Sequence, residues 1–127
     1  MTRIPGRFGN DVGEWVGGAD DLDAEIAGTG IPAFTVDLAG VKSKQALMEA
    51  LRQALRLPAH FGGNWDALAD CLGDRAWLPK RGAFVALRHT AELRRRSPAD
   101  WATLLEILAE TANFWQARGM PFRVRYS

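Results

Sequence analysis

A chain of 127 residues that is 47% hydrophobic, 24% charged and 9% aromatic has the make-up of one globular domain, which excludes a wholly disordered or fibrous chain. No apolar run reaches the ~20 residues that span a bilayer, MTRIPGRFGNDVGEW lacks the apolar stretch of a signal peptide, and Cys71 stands alone, so a cytosolic protein without disulfides or membrane segments is expected. The formal net charge of +1 conceals a gradient: residues 1–40 carry seven acids against two bases, residues 41–74 four of each, and residues 75–127 ten bases against four acids.

Residues 1–30 hold seven of the thirteen glycines and no sustained periodicity, and are expected to form a Gly-rich, acidic N-terminal arm anchored by Trp15 and Val16. Leu22 and Ile26, four apart, allow a short helical turn over 20–27. From Ala33 the pattern becomes regular. Phe34, Val36 and Leu38 alternate with Thr35 and Asp37, the period of a strand with one buried face, and Gly40 ends it. Ser43 then offers a capping oxygen to a helix whose Leu47, Leu51 and Leu55 share a face, and which must stop before Pro58. After the loop Pro58-Ala59-His60-Phe61-Gly62-Gly63, Asn64 caps a second helix running to Leu72, with Gly73 placed to end it in a left-handed conformation.

The uninterrupted apolar run Ala83 to Leu87 predicts a strand covered on both faces. Thr90 to Arg96 allows one or two helical turns, and Ser97-Pro98-Ala99-Asp100 is a helix start with a capping serine, proline at the first position and an acid at the third. Trp101, Leu104, Leu105, Leu108, Ala112 and Trp115 continue that helix at spacings of three and four until Gly119 and Pro121 close it. Phe122, Val124 and Tyr126 make a last strand. The order is therefore strand, two helices, strand, two helices, strand. Helical crossovers let such strands run parallel, which predicts an α/β domain over 31–127: a small three-stranded parallel sheet packed against helices, with 1–30 as the arm.

At 100° per residue the second helix sorts into two faces, with Trp65, Leu68, Cys71 and Leu72 on one and Asp66 and Asp70 on the other. Like charges four apart repel by a few tenths of a kcal/mol, and Asp70 also faces the unfavourable end of the helix dipole. Local stability does not ask for this pair. A solvated polar face is the commoner explanation of such residues; a partner outside the helix is the sharper one.

The run Leu57-Pro58-Ala59-His60-Phe61-Gly62-Gly63-Asn64-Trp65-Asp66-Ala67-Leu68-Ala69-Asp70-Cys71-Leu72 resembles the signature of the barstar family, intracellular inhibitors of secreted ribonucleases. The likeness extends more loosely from Phe34 to Tyr126. It implies a binding protein without catalytic activity or cofactor, whose loop and second helix plug a ribonuclease active site built from cationic groups that hold RNA phosphates. Carboxylates on a rigid helix can take those phosphate positions through charge-assisted hydrogen bonds. By position, Asp70 matches the family's central acid, Asp66 a flanking acid, Asn64 a loop residue that hydrogen-bonds the enzyme, and Phe61 and Gly62 the aromatic-Gly pair of the binding loop. The expected partner-binding set is His60, Phe61, Gly62, Gly63, Asn64, Asp66, Ala69, Asp70, Gly73 and Asp74. The chain departs from the pattern in several places: His60 replaces the first loop aromatic, Ala69 stands where a well-known member has tryptophan, Arg75 falls near another interface tryptophan, and Phe114 and Arg118 occupy positions where acids are presented.

Cys71, on the apolar side, reads as a buried core residue, and His60 and His89, without a nucleophile elbow or further ligands, suggest neither catalysis nor a metal site. A binding protein that is monomeric when free, with an extracellular-type ribonuclease or related toxin as partner, is therefore the primary expectation. Two others remain open. The same fold could serve as an immunity protein for a non-ribonuclease partner, or Arg94, Arg95, Arg96, Arg118, Arg123 and Arg125 could form an RNA-binding patch, against which docking of the acidic arm or a solvated basic edge is the simpler explanation.

Overall fold

In the computed structural model, which describes residues 12–127, the apolar run becomes strand β3 (Ala83–Arg88) near the middle of a four-stranded sheet. Its partners are β4 (Phe122–Tyr126) on one side and β2 (Ala33–Asp37) on the other; β1 (Val12–Glu14) completes the order β1-β4-β3-β2, and every pairing is parallel. Ala83 to Leu87 are all buried, as their uninterrupted apolar character requires of a strand covered on both faces. Ala83, Val85 and Leu87 face the main core, where α2 (Lys44–Ala54), α3 (Trp65–Leu72) and α5 (Pro98–Gln116) pack. Phe84 and Ala86 face the other way and meet Leu22 of α1 (Ala19–Thr29).

Among the described residues the sheet has four strands and not the three expected. β1 spans three residues, too few to show a period of two, and it is held by pairing with β4: Val12 sits opposite Val124, and the Trp15 N–H donates to the Tyr126 carbonyl (2.8 Å). Residues 12–30 thus form β1 and α1, while residues 1–11 of the expected arm lie outside the described residues. Trp15 packs beside Leu22 and Phe84, but Val16 is 92% exposed and anchors nothing; Val12 holds the segment down instead.

The two crossovers read from the sequence are present, β2-α2-α3-β3 and β3-α4-α5-β4, with α4 at Ala91–Arg96. Ser43 caps α2, accepting from the Ala46 N–H at 3.2 Å. Ser97 does not cap α5: its hydroxyl donates to the Lys42 carbonyl (3.2 Å), tying the start of α5 to the start of α2, while its own carbonyl receives the Trp101 N–H. Gly82 marks the closest approach in the sheet. A Cβ there would lie 2.1 Å from the Pro121 carbonyl oxygen, and its φ of +97° is a glycine conformation, so β3 and β4 enter side by side only because residue 82 has no side chain.

Candidate functional site

The segment that enters α3 is shaped by short-range bonds. The Phe61 N–H donates to the Pro58 carbonyl (2.9 Å), and Gly63, at φ +73°, swings the chain so that Asn64 is extended and caps the helix, its Oδ1 accepting from the Ala67 N–H at 2.8 Å. With Oδ1 committed to the cap, the side-chain NH2 of Asn64 is left as a pair of donors at an exposed position.

α3 joins the main core by Leu68, Cys71 and Leu72, all buried, with Trp65 half-buried beside them; Asp66, Ala69 and Asp70 are exposed. Burial pushes the Cys71 thiol above its ordinary pKa, with the nearby Asp70 and Asp74 charges adding to the effect, so Cys71 is an inert core group. Asp66 and Asp70 have neither an ion pair nor a side-chain hydrogen bond among the described residues. Two repelling carboxylates on a rigid helix, which no described residue neutralises, are an arrangement complementary to a cationic group supplied from outside.

The helix ends differently from expectation. Gly73 is not left-handed: its φ is −89° and ψ 3°, and its N–H donates to the Ala69 carbonyl (3.1 Å), continuing the helical pattern into a tight turn. Asp74 closes that turn, its N–H donating to the Cys71 carbonyl and its Oδ1 accepting from the Ala76 N–H (2.8 Å). The buried Leu72 carbonyl at the helix end accepts from the Trp115 indole N–H of α5 (2.8 Å), so the chain needs no glycine twist to satisfy it and α3 is tied to α5.

Of the residues singled out in the sequence, His60, Gly62, Gly63, Asn64, Asp66, Ala69, Asp70 and Asp74 are exposed along the loop and α3. Phe61 and Gly73 are half-buried, and the Phe61 ring packs against the main core. Ala69, Asp70 and Gly73 also form one wall of a groove of about 290 Å³ whose other wall, from α5, includes Ile107, Glu110 and Phe114. Glu110 has no ion pair among the described residues and brings a carboxylate to the groove that nothing in the linear pattern selects; the one hint is its place four residues before Phe114, an aromatic on a polar helix face. Phe114 is 39% exposed and lies under the Arg118 guanidinium, 3.7 Å from the ring, so these two departures from the family pattern are partners of one another.

The family model described as Barstar (barnase inhibitor) matches residues 31–127. The chain belongs to the Barstar family. This is an inhibitor family, and binding to another protein is the function it shares; the matched span includes the loop, α3 and α5 but not β1 or α1. Comparison with curated proteins returned no match. No helix among the described residues is long and apolar enough to cross a membrane.

In this Barstar-family chain the arginines of α4 are engaged within the molecule. Arg94 pairs with Glu14 (3.6 Å) and stacks on the rings of Trp101 and Tyr126, while Arg95 and Arg96 approach Glu92 at 4.0 and 3.1 Å. Arg88, on the face covered by α1, is bound by Asp23 at 2.6 Å. Acidic residues of β1 and α1 thus meet basic residues of the later chain, as the charge gradient anticipates.

Proposed function

We propose that this protein inhibits a ribonuclease from inside the cell by docking the exposed face of α3 and the loop before it into the enzyme's active site, without catalysis or cofactor of its own. One observation carries the reading: Asp66 and Asp70 stand on the exposed side of a helix whose opposite side is buried, and among the described residues they have no counter-charge. A cleft that binds RNA phosphates presents Arg, Lys and His, and carboxylates fixed at phosphate positions meet those donors without ordering a flexible chain first. Asp70 is the central group, Asp66 flanks it, and the Asn64 amide, His60, Phe61, Gly62, Gly63, Ala69, Gly73 and Asp74 complete the contact surface.

The test is a titration of secreted bacterial ribonucleases with wild type and Asp70→Ala. Stoichiometric inhibition that the substitution weakens by about 2 kcal/mol or more, roughly thirtyfold, supports both class and site. If no ribonuclease in the panel is inhibited, the partner is a different toxin or protein. RNA binding that falls steeply with salt in the absence of any inhibition would transfer the function to the arginines.

A further inference from the structure

α2 ends in a turn that normally calls for glycine. The Leu57 N–H donates to the Arg52 carbonyl (3.0 Å) and the Arg56 N–H to the Gln53 carbonyl (3.3 Å), the paired bonds of a Schellman motif, and the residue that adopts the left-handed conformation there is Arg56, at φ +54°. An L-residue with a long side chain is disfavoured in that region, and glycine would occupy it without a Cβ clash. The fold draws nothing visible from the guanidinium in return: among the described residues it has no ion pair and no hydrogen bond. A strained residue kept for no structural gain points to a role outside the fold.

The Arg56 side chain lines a cavity of about 410 Å³ on the flank of α3 away from α5. Phe34, Trp77 and buried Cys71 make its apolar floor, and exposed Arg56, His60 and Asp74 its rim. The floor is preformed: the Trp77 indole N–H donates to the Leu55 carbonyl (2.8 Å), and its ring stacks on Phe34 with centroids 5.5 Å apart. Asp74 already spends one carboxylate oxygen on the Ala76 N–H, whereas none of the five Arg56 donors is used by a described residue. The surface around α3 is therefore two-signed. Carboxylates that have no ion pair among the described residues (Asp66, Asp70, Glu110) lie along the exposed face and the α5 groove, and a donor-rim, apolar-floor cavity lies on the opposite flank.

A uniformly basic partner would meet Arg56 as a like charge across a desolvated edge, which is costly. We propose that the cavity is a specificity pocket for an acidic loop of the partner: a carboxylate that meets the Arg56 guanidinium and the His60 ring, next to an apolar side chain that fills the Phe34 and Trp77 floor. This rests on the docking reading above and narrows it. The target carries an acidic element beside its cationic cleft, and this chain discriminates against ribonucleases that are basic throughout.

The sign of a charge effect tests the idea. Inhibition of the ribonuclease that wild type blocks best is measured for Arg56→Gly, Arg56→Glu and, as a control of equal charge change to the latter on exposed α4, Arg95→Glu. Arg56→Gly is expected to melt no lower than wild type and to inhibit at least tenfold more weakly; Arg56→Glu should be weaker still, with Arg95→Glu within threefold of wild type. Arg56→Gly within threefold of wild type, or Arg56→Glu inhibiting as well as or better than wild type, overturns the pocket while leaving the docking reading intact. Absence of inhibition by wild type throughout the panel overturns both.

Discussion

Asp70→Ala separates a binding role from a structural one because the two predict stability changes of opposite sign. Asp70 is exposed and has no partner among the described residues, so its removal leaves no described buried group unsatisfied. It ends the like-charge contact with Asp66 one turn earlier, worth about 0.2–0.5 kcal/mol, and removes an anion from the C-terminal turn of α3, worth about 0.3–1 kcal/mol. Alanine also has the higher helix propensity by up to about 0.7 kcal/mol. Screening by solvent reduces these terms, and a net gain of about 0.5–1 kcal/mol is expected, a rise of a few degrees in melting temperature for a domain of this size. On the proposed docking, the same variant should lose about 2 kcal/mol or more of binding to the target ribonuclease. Thermal melts and inhibition titrations on one preparation give both numbers. A variant that melts several degrees lower than wild type would refute the reasoning, since Asp70 would then be holding the fold.

Leu68→Ala, on the other side of the same helix, should do the reverse: Leu68 is fully buried, so a loss of about 2–5 kcal/mol is expected in denaturant unfolding, with inhibition at saturating folded protein unchanged. Gly82→Ala forces a Cβ to within 2.1 Å of the Pro121 carbonyl oxygen at a φ of +97°, and should destabilise by about 3 kcal/mol or more, read in the same unfolding assay; wild-type stability would contradict the close approach of β3 and β4. Hydrogen bonds from Arg52 and Gln53 hold the Glu49 carboxyl at about 2, below its ordinary 4.5. A carboxyl depressed on folding stabilises above its unfolded pKa and loses that contribution as pH falls, here between about 4.5 and 2. Glu49→Gln should accordingly flatten the decline of melting temperature across that window, and an unchanged decline would count against the pairing.

Much of this molecule is written in short-range pattern. The leucines of α2 at every fourth residue, the caps Ser43 and Asn64, and the alternation in β2 and β4 act over one or two turns of chain, and the structure follows them. The two faces of α3 follow as well, because a period of 3.6 places Leu68 and Leu72 opposite Asp66 and Asp70 whatever the helix packs on. Where local chemistry had competing uses, the linear pattern was insufficient. Ser97 looks like a cap but its hydroxyl is used by the Lys42 carbonyl, and Gly73 looks like a left-handed stop, but the Trp115 indole satisfies the helix end without one.

The sequence by itself determined the helices, the central strands, their parallel direction and the carboxylate face, because each depends on residues within about four positions of one another or on the connection between successive strands. Only the tertiary structure decided the fourth strand, in which Val12 pairs with Val124 more than a hundred residues away, and the closing of a groove by Glu110 and Phe114 against Asp70. It alone placed Arg56 over the floor made by Phe34 and Trp77. Contacts at that separation are set by which edges and faces remain unfilled once the core has packed, a property of the assembled shape that no local period records.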